Sequence, residues 1–248
     1  MASSRYFRCL QCILFAVMLS SAAHSDILLS GDSVDGALKK LRLLASAIQE
    51  SGDRQAQIAA TLALGQEATS LAVLLSKEIA AHGEQEKNLI ELAIAGAAEL
   101  GVVISWSGEH QRFYYNGDAF RQCFELAQRG PHAADCWFKI VEQQFYFSAM
   151  LDRESLAAAA ARKQAFLQSY PAYDKADKVG IYLSIDYRDI WRRCRNTGDR
   201  QCAARYLDLT RGQLQRIATD YKDTNSGDIA ARMLTRIENE SADPPTAW

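Results

Sequence analysis

Four cysteines stand in two pairs across short turn signals: Cys123 and Cys136 flank Gly130-Pro131, and Cys194 and Cys202 flank Gly198. On either side of each turn the apolar residues recur three and four apart, the spacing of one helix face. Each pair therefore reads as a staple across an antiparallel helical hairpin. Helix axes pack about 8–10 Å apart and each Cα lies about 2.3 Å from its axis, so facing Cα atoms come within roughly 3.5–5.5 Å. That overlaps the window of about 4.4–6.8 Å that a disulfide needs. Four cysteines allow three pairings. Positions equidistant from a turn face each other in such a hairpin, which selects Cys123 with Cys136 and Cys194 with Cys202. Closing loops this short stabilises a fold by about 3 kcal/mol each; four buried free thiols are the alternative.

Disulfides require an oxidising compartment, and the N-terminus supplies a route to one. Arg5 and Arg8 precede the apolar run Cys9 to Leu19, and small residues Ser20 to Ser25 follow before Asp26. The run falls short of the roughly 20 residues of a membrane anchor and has the three parts of a cleaved secretory signal. Cys9 and Cys12 lie before and inside the apolar run, not after it as a lipid-anchoring signal demands. The expectation is a periplasmic or secreted chain, cut after Ala23 or Ser25 and not inserted in a membrane. Losing the two arginines of residues 1–25 takes the net charge from −2 to −4, which argues against nucleic acid as a partner.

Past the signal the period is helical nearly throughout. Leu38, Leu41 and Ile48 mark one face before Ser51-Gly52-Asp53, and Ile58, Leu62, Leu71, Leu75 and Ile79 mark the next before His82-Gly83. Between Leu89 and Trp106 apolar residues surround the axis, which predicts a buried helix. Further helices are expected over about 109–129, 133–150, 154–170, 174–195, 199–221 and 226–239, with no alternating segment of strand length. The predicted fold is all-α, built of stacked antiparallel helical hairpins. Its divisions are a signal at 1–25, N-terminal hairpins at 26–106, stapled hairpins at 107–240 and a disordered tail at 241–248.

Two helix ends repeat. Phe166 to Tyr170-Pro171 and Ile217 to Tyr221-Lys222 each place a tyrosine four residues after an apolar one, 51 residues apart. Between them Thr197-Gly198-Asp199 offers a glycine for the left-handed C-cap and an aspartate for the next N-cap. Here residues 154–240 resemble the tetratricopeptide-like repeats of bacterial envelope proteins, particularly the BamD and CpoB group. In that group a Gly-Asp turn opens a helix that ends in Tyr-Pro. The unit is longer than the usual 34 or so residues, and Lys222 stands where a second proline would fall. The resemblance implies a right-handed superhelical scaffold for protein or peptide binding.

Two surfaces are candidates for that binding. Residues 106–147 hold 11 of the 23 aromatics. Phe113, Phe120 and Phe124 share one face and Trp137, Val141 and Phe145 another, as core residues do. Tyr114, Tyr115, Tyr146 and Phe147 exceed what one stripe buries, and serve either as a peptide groove, because rigid rings give contact area at low entropy cost, or as a thicker core. The second candidate is a basic ridge led by Arg188 and Arg192, one helical turn apart, followed by Arg193, Arg195, Arg200 and Arg205 and partly offset by Asp189 and Asp199. It suits an acidic protein or a cell-wall polymer; a solvated helix end is the plainer use.

Catalytic patterns are weak. His82, His110 and His132 form no metal-ligand spacing, and Ser107 lacks a nucleophile elbow. Glu154-Ser155 matches the acid–serine pair of wall-cleaving lytic transglycosylases, but the Gly-Leu-Met-Gln pattern that follows in that family is missing. The expectation is a non-enzymatic envelope scaffold that binds a protein or peptide and uses no metal or cofactor. A peptidoglycan-acting or peptidoglycan-binding protein centred on Glu154 is the alternative.

Overall fold

The computed structural model describes residues 33–242, apart from Glu109, Arg129 and residues 147–150. The expected signal at 1–25, Phe147, and the tail beyond Ala242 lie outside these. The described residues are mostly helical and fall into two compact units, Met1–Gln122 and Cys123–Trp248.

In the first unit α1 (Val34–Glu50) and α2 (Arg54–His82) form a hairpin. Its turn is set by capping: Asp53 accepts hydrogen bonds from the amides of Gln55 and Ala56 at 3.1 and 3.3 Å, satisfying donors that the helix start leaves open. Val34, Ala37, Leu38 and Leu41 of α1 and Ile58, Leu64, Ala68, Leu71 and Leu75 of α2 are buried. Among the described residues α2 alone is long and apolar enough to cross a membrane, yet these buried positions make it the central helix of the unit. A short 3-10 turn (Gly83–Glu86) leads into α3 (Lys87–Ala98).

The chain then departs from the sequence expectation. The apolar run after Leu89 does not stay helical to Trp106, because Gly101 at φ +75° closes α3. The β-branched residues Val102, Val103 and Ile104 extend into β1 (Ile104–Ser107), which pairs antiparallel with β2 (Arg112–Tyr115). This hairpin replaces the first turns of the helix expected from residue 109. It is fastened to α2, where the Ser76 hydroxyl oxygen accepts the Phe113 amide at 2.8 Å. The following helix α4 (Asp118–Ala127) brings Phe120 so close to α2 that a side chain at Gly65 would lie 2.4 Å from its ring.

The second unit takes up the end of α4 and continues through α5 (Ala133–Tyr146), α6 (Arg153–Ser169), α7 (Ala176–Asn196), α8 (Arg200–Asp220) and α9 (Asn225–Ala242). The α9 helix takes in Ser241 and Ala242, the first residues expected as tail. From α5 onward consecutive helices pack side by side, and disulfides join Cys123 to Cys136 and Cys194 to Cys202, with Cα separations of 5.6 and 5.7 Å. The 51-residue repeat is structural. Tyr170 and Tyr221 both end their helices, and their amides bond to the carbonyls of Phe166 at 2.8 Å and Ile217 at 3.0 Å. In each copy the residue three further on closes a turn back to the tyrosine carbonyl. Phe166 is buried with Phe138, Val141 and Val179, and Ile217 with Ile181, Leu214, Ala230 and Ile237, so the repeated apolar residue anchors each hairpin in its own cluster.

Candidate functional site

The second unit carries a groove of about 780 Å³ between α6 and α8, with α7 as its floor. Helices two apart in a stack of hairpins flank the one between them, which leaves a concavity wherever their facing side chains are short or splayed. Leu183 and Tyr187 of α7 are buried beneath it; Gln164, Leu167 and Gln168 of α6 form one wall, and Arg205, Asp208, Leu209, Gly212, Gln213 and Arg216 of α8 the other. Leu209, 37% exposed, presents an apolar side chain to the open groove. A smaller pocket of about 180 Å³ shares Leu167, Pro171, Gln213 and Arg216 and continues it toward Asp220 and Tyr221.

The polar groups of the groove are sparsely satisfied. Arg205 stacks over the Tyr206 ring at 5.7 Å, and Arg216 donates to the Gln213 side-chain oxygen at 2.8 Å. Among the described residues neither guanidinium meets a carboxylate, and Asp208 meets no cation. The Gln213 side-chain nitrogen is buried without a hydrogen-bond partner. Tyr187 donates to the Gln164 side-chain oxygen at 3.4 Å. Burial pushes its phenol above the usual range, the Tyr206 and Asp186 side chains add to the rise, and Arg205 and Arg216 oppose it. Both arginines therefore act on the same floor residue.

Next to the groove, inside the α6–α7 interface, Lys163 and Asp186 form an ion pair at 2.5 Å with both side chains fully buried. The second carboxylate oxygen of Asp186 has no partner. Burial outweighs their mutual attraction, holding the carboxyl up at about 6 and the ammonium below its ordinary value.

The residues singled out from sequence are dispersed. Tyr115 is 2% exposed, accepts the Ala119 amide at 2.5 Å and packs edge-on against Phe120; it belongs to the core of the first unit and is not a surface contact. Its place in β2, with its side chain turned inward, is the physical reason. Tyr114, its neighbour on the opposite face of the strand, is half-buried. Tyr146 ends α5 with a side chain outside the description, as is Phe147. The leading arginines of the basic ridge are held by partners within the protein, whereas Arg205 at its far end faces the groove. Arg188 pairs with Asp189 at 2.9 Å, Arg192 with Glu240 at 2.6 Å, and Arg195 donates to the Glu240 backbone carbonyl at 2.7 Å. Glu154 stands exposed on the first turn of α6 and lines neither the groove nor the first unit's cleft of about 310 Å³ among Ile79, Ile90, Ile94, Trp106 and Phe113. Cys194, Asp199 and Cys202 cluster, but the two sulfurs are joined and the Asp199 carboxylate accepts the Cys202 amide at 3.1 Å.

Reading from sequence missed the groove. Its signal was available on α8, where Arg205, Leu209, Gly212 and Arg216 fall on one helix face with a glycine in mid-helix, an arrangement that a packed face does not need.

The fold defines an all-α protein built of stacked helical hairpins. No known protein family matches the chain, and no curated protein matches it. Two solved structures are similar to the chain at a low level. The DHF58 filament is 19% identical over 91% of this chain and 92% of its own, with a TM-score of 0.25. The de novo designed helical repeat protein DHR64 is 17% identical over 84% of this chain and 95% of its own, with a TM-score of 0.27. Similarity at this level leaves the architecture to be read from the protein's own packing.

Proposed function

We propose that the protein is exported to the cell envelope, in the manner of the BamD and CpoB group, and serves there as a non-enzymatic scaffold. It binds a protein or peptide partner in the groove between α6 and α8. The observation that carries this reading is the groove itself, an apolar floor bordered by charged groups whose charges meet no counter-ion among the described residues. Two joined cysteine pairs fit an oxidising compartment, and the N-terminal sequence fits a cleaved export signal.

The test is crosslinking in cells from a photoreactive residue at position 209. A protein that crosslinks there, and not from position 92 on the other unit, supports the reading. Recovery of wall fragments without protein would transfer the function to cell-wall contact.

A further inference from the structure

We propose that the groove recognises an extended protein segment carrying two acidic side chains on one face, four to six residues apart, with an apolar residue between them. This rests on the reading of the groove as the binding surface and specifies its ligand.

Arg205 and Arg216 are eleven residues apart on α8, which sets them about 16.5 Å apart along the axis and within about 20° of the same direction around it. Alternate side chains of an extended chain point the same way at about 3.3 Å per residue. Carboxylates at i and i+4 span about 13 Å and those at i and i+6 about 20 Å, so these two spacings bracket the arginine pair. Long side chains absorb the remaining difference. Between the arginines the groove offers Leu167, Leu183 and Leu209, a surface for an apolar side chain. Asp208 lies one turn from Arg205 and excludes a third acid from the middle of the segment by like-charge repulsion.

Gly212 shows where the ligand backbone passes. It sits in the interior of α8, where glycine costs about 0.5–1 kcal/mol relative to alanine, and a Cβ built there meets nothing within 4 Å. Packing inside the protein thus gives no reason for a glycine. A segment running along α8 past this point gains the space that a side chain would occupy, and the exposed amides of Gln164 and Gln168 on the facing wall are placed to bond its peptide groups.

The experiment uses the oxidised chain without residues 1–25 and a labelled peptide, acetyl-Glu-Ser-Leu-Ser-Leu-Ser-Glu-amide, followed by fluorescence anisotropy. Binding is expected to weaken roughly tenfold when both glutamates become glutamine, or with Arg205→Ala or Arg216→Ala, and to weaken further with added salt. Gly212→Leu should abolish binding while the thermal midpoint stays equal or rises, which separates occlusion from misfolding. Equal affinity for the glutamine peptide, or no binding of the glutamate peptide, overturns the proposal. Position-209 crosslinking to a cellular protein that persists in that case, and is lost with Gly212→Leu, retains the groove and discards only its acidic ligand. A chain that dimerises and becomes monomeric with Gly212→Leu assigns the groove to a second copy and also overturns the proposal.

Discussion

Removing either member of the buried Lys163–Asp186 pair should destabilise the protein with opposite pH dependences. Both side chains are fully buried and lie 2.5 Å apart. In Lys163→Met the carboxyl loses its cation and must ionise alone or take up a proton. Each pKa unit is worth about 1.4 kcal/mol, so neutralising a carboxyl of ordinary value 3.8 at pH 7 costs about 4.4 kcal/mol, the upper limit of the charge penalty. The lone carboxyl has a folded pKa raised above its unfolded value. The native state therefore holds the extra proton, and stability falls by about 1.4 kcal/mol for each unit the pH rises above the unfolded value, until the folded value is passed. In Asp186→Leu the ammonium is stranded, and neutralising it from 10.5 at pH 7 costs at most about 4.8 kcal/mol. Its folded pKa is depressed, the unfolded state holds the extra proton, and stability rises with pH toward 10.5. The double variant Lys163→Met/Asp186→Leu carries neither charge and should be flat in pH, within about 1–2 kcal/mol of the parent or above it, as replaced buried pairs often are. Urea unfolding at pH 5, 7 and 9 with disulfides intact reads all three slopes. Parallel slopes in the two single variants, or single variants no less stable than the double one, would show that water reaches the pair and refute the reasoning.

Three further outcomes are expected. Tyr115, held by burial at about 12, ionises from about 10 once unfolded, so stability should fall by up to about 2.7 kcal/mol between pH 10 and 12; Tyr115→Phe should remove that alkaline loss while costing about 1 kcal/mol at neutral pH for the abandoned Ala119 amide, as measured by urea midpoints. A Cβ at Gly227 would lie 2.1 Å from the Tyr221 carbonyl oxygen, so Gly227→Ala should lower stability by more than about 2 kcal/mol through forced backbone movement, whereas Gly212→Ala should raise it by about 0.5–1 kcal/mol; thermal unfolding of the two variants decides. Cys194→Ala/Cys202→Ala should cost about 3 kcal/mol by chain entropy, and intact mass after alkylation without reductant should show no label on the parent's Cys123, Cys136, Cys194 or Cys202.

The helical part of the fold was legible because its signals are local. Ser51-Gly52-Asp53 and Gly198-Asp199 act within a turn of chain and the paired cysteines within 13 and 8 residues, and the Tyr170 and Tyr221 helix ends obey the same hydrogen-bond rule in both copies. The β-hairpin was not legible for the opposite reason. A run such as Leu89–Trp106 is apolar on every side, so its period cannot distinguish a buried helix from a helix followed by a strand, and the outcome turns on Gly101 at positive φ and on Ser76 of α2 receiving the Phe113 amide. Tyr115 illustrates the consequence. On a helix it would have lain beside Tyr114, but a strand turns successive side chains to opposite faces and sends Tyr115 into the core.

The site was harder to see than the fold because charge in a sequence does not reveal its partner. The offset of Arg188 by its neighbour Asp189 is visible in the sequence, but the partner of Arg192 is not, because Glu240 arrives from 48 residues away. Arg205 stands in the sequence only as the last arginine of the basic ridge and Arg216 outside it, and the two become distinctive as a pair only because no carboxylate from α6, α7 or α9 reaches them in the described structure. A charge left without a counter-ion beside an apolar floor contributes little to folding, since an exposed pair would be worth only about 0–1 kcal/mol in any case. It retains its full capacity for a ligand carboxylate, and a groove that binds through such groups gains specificity from charge spacing more than affinity from buried area.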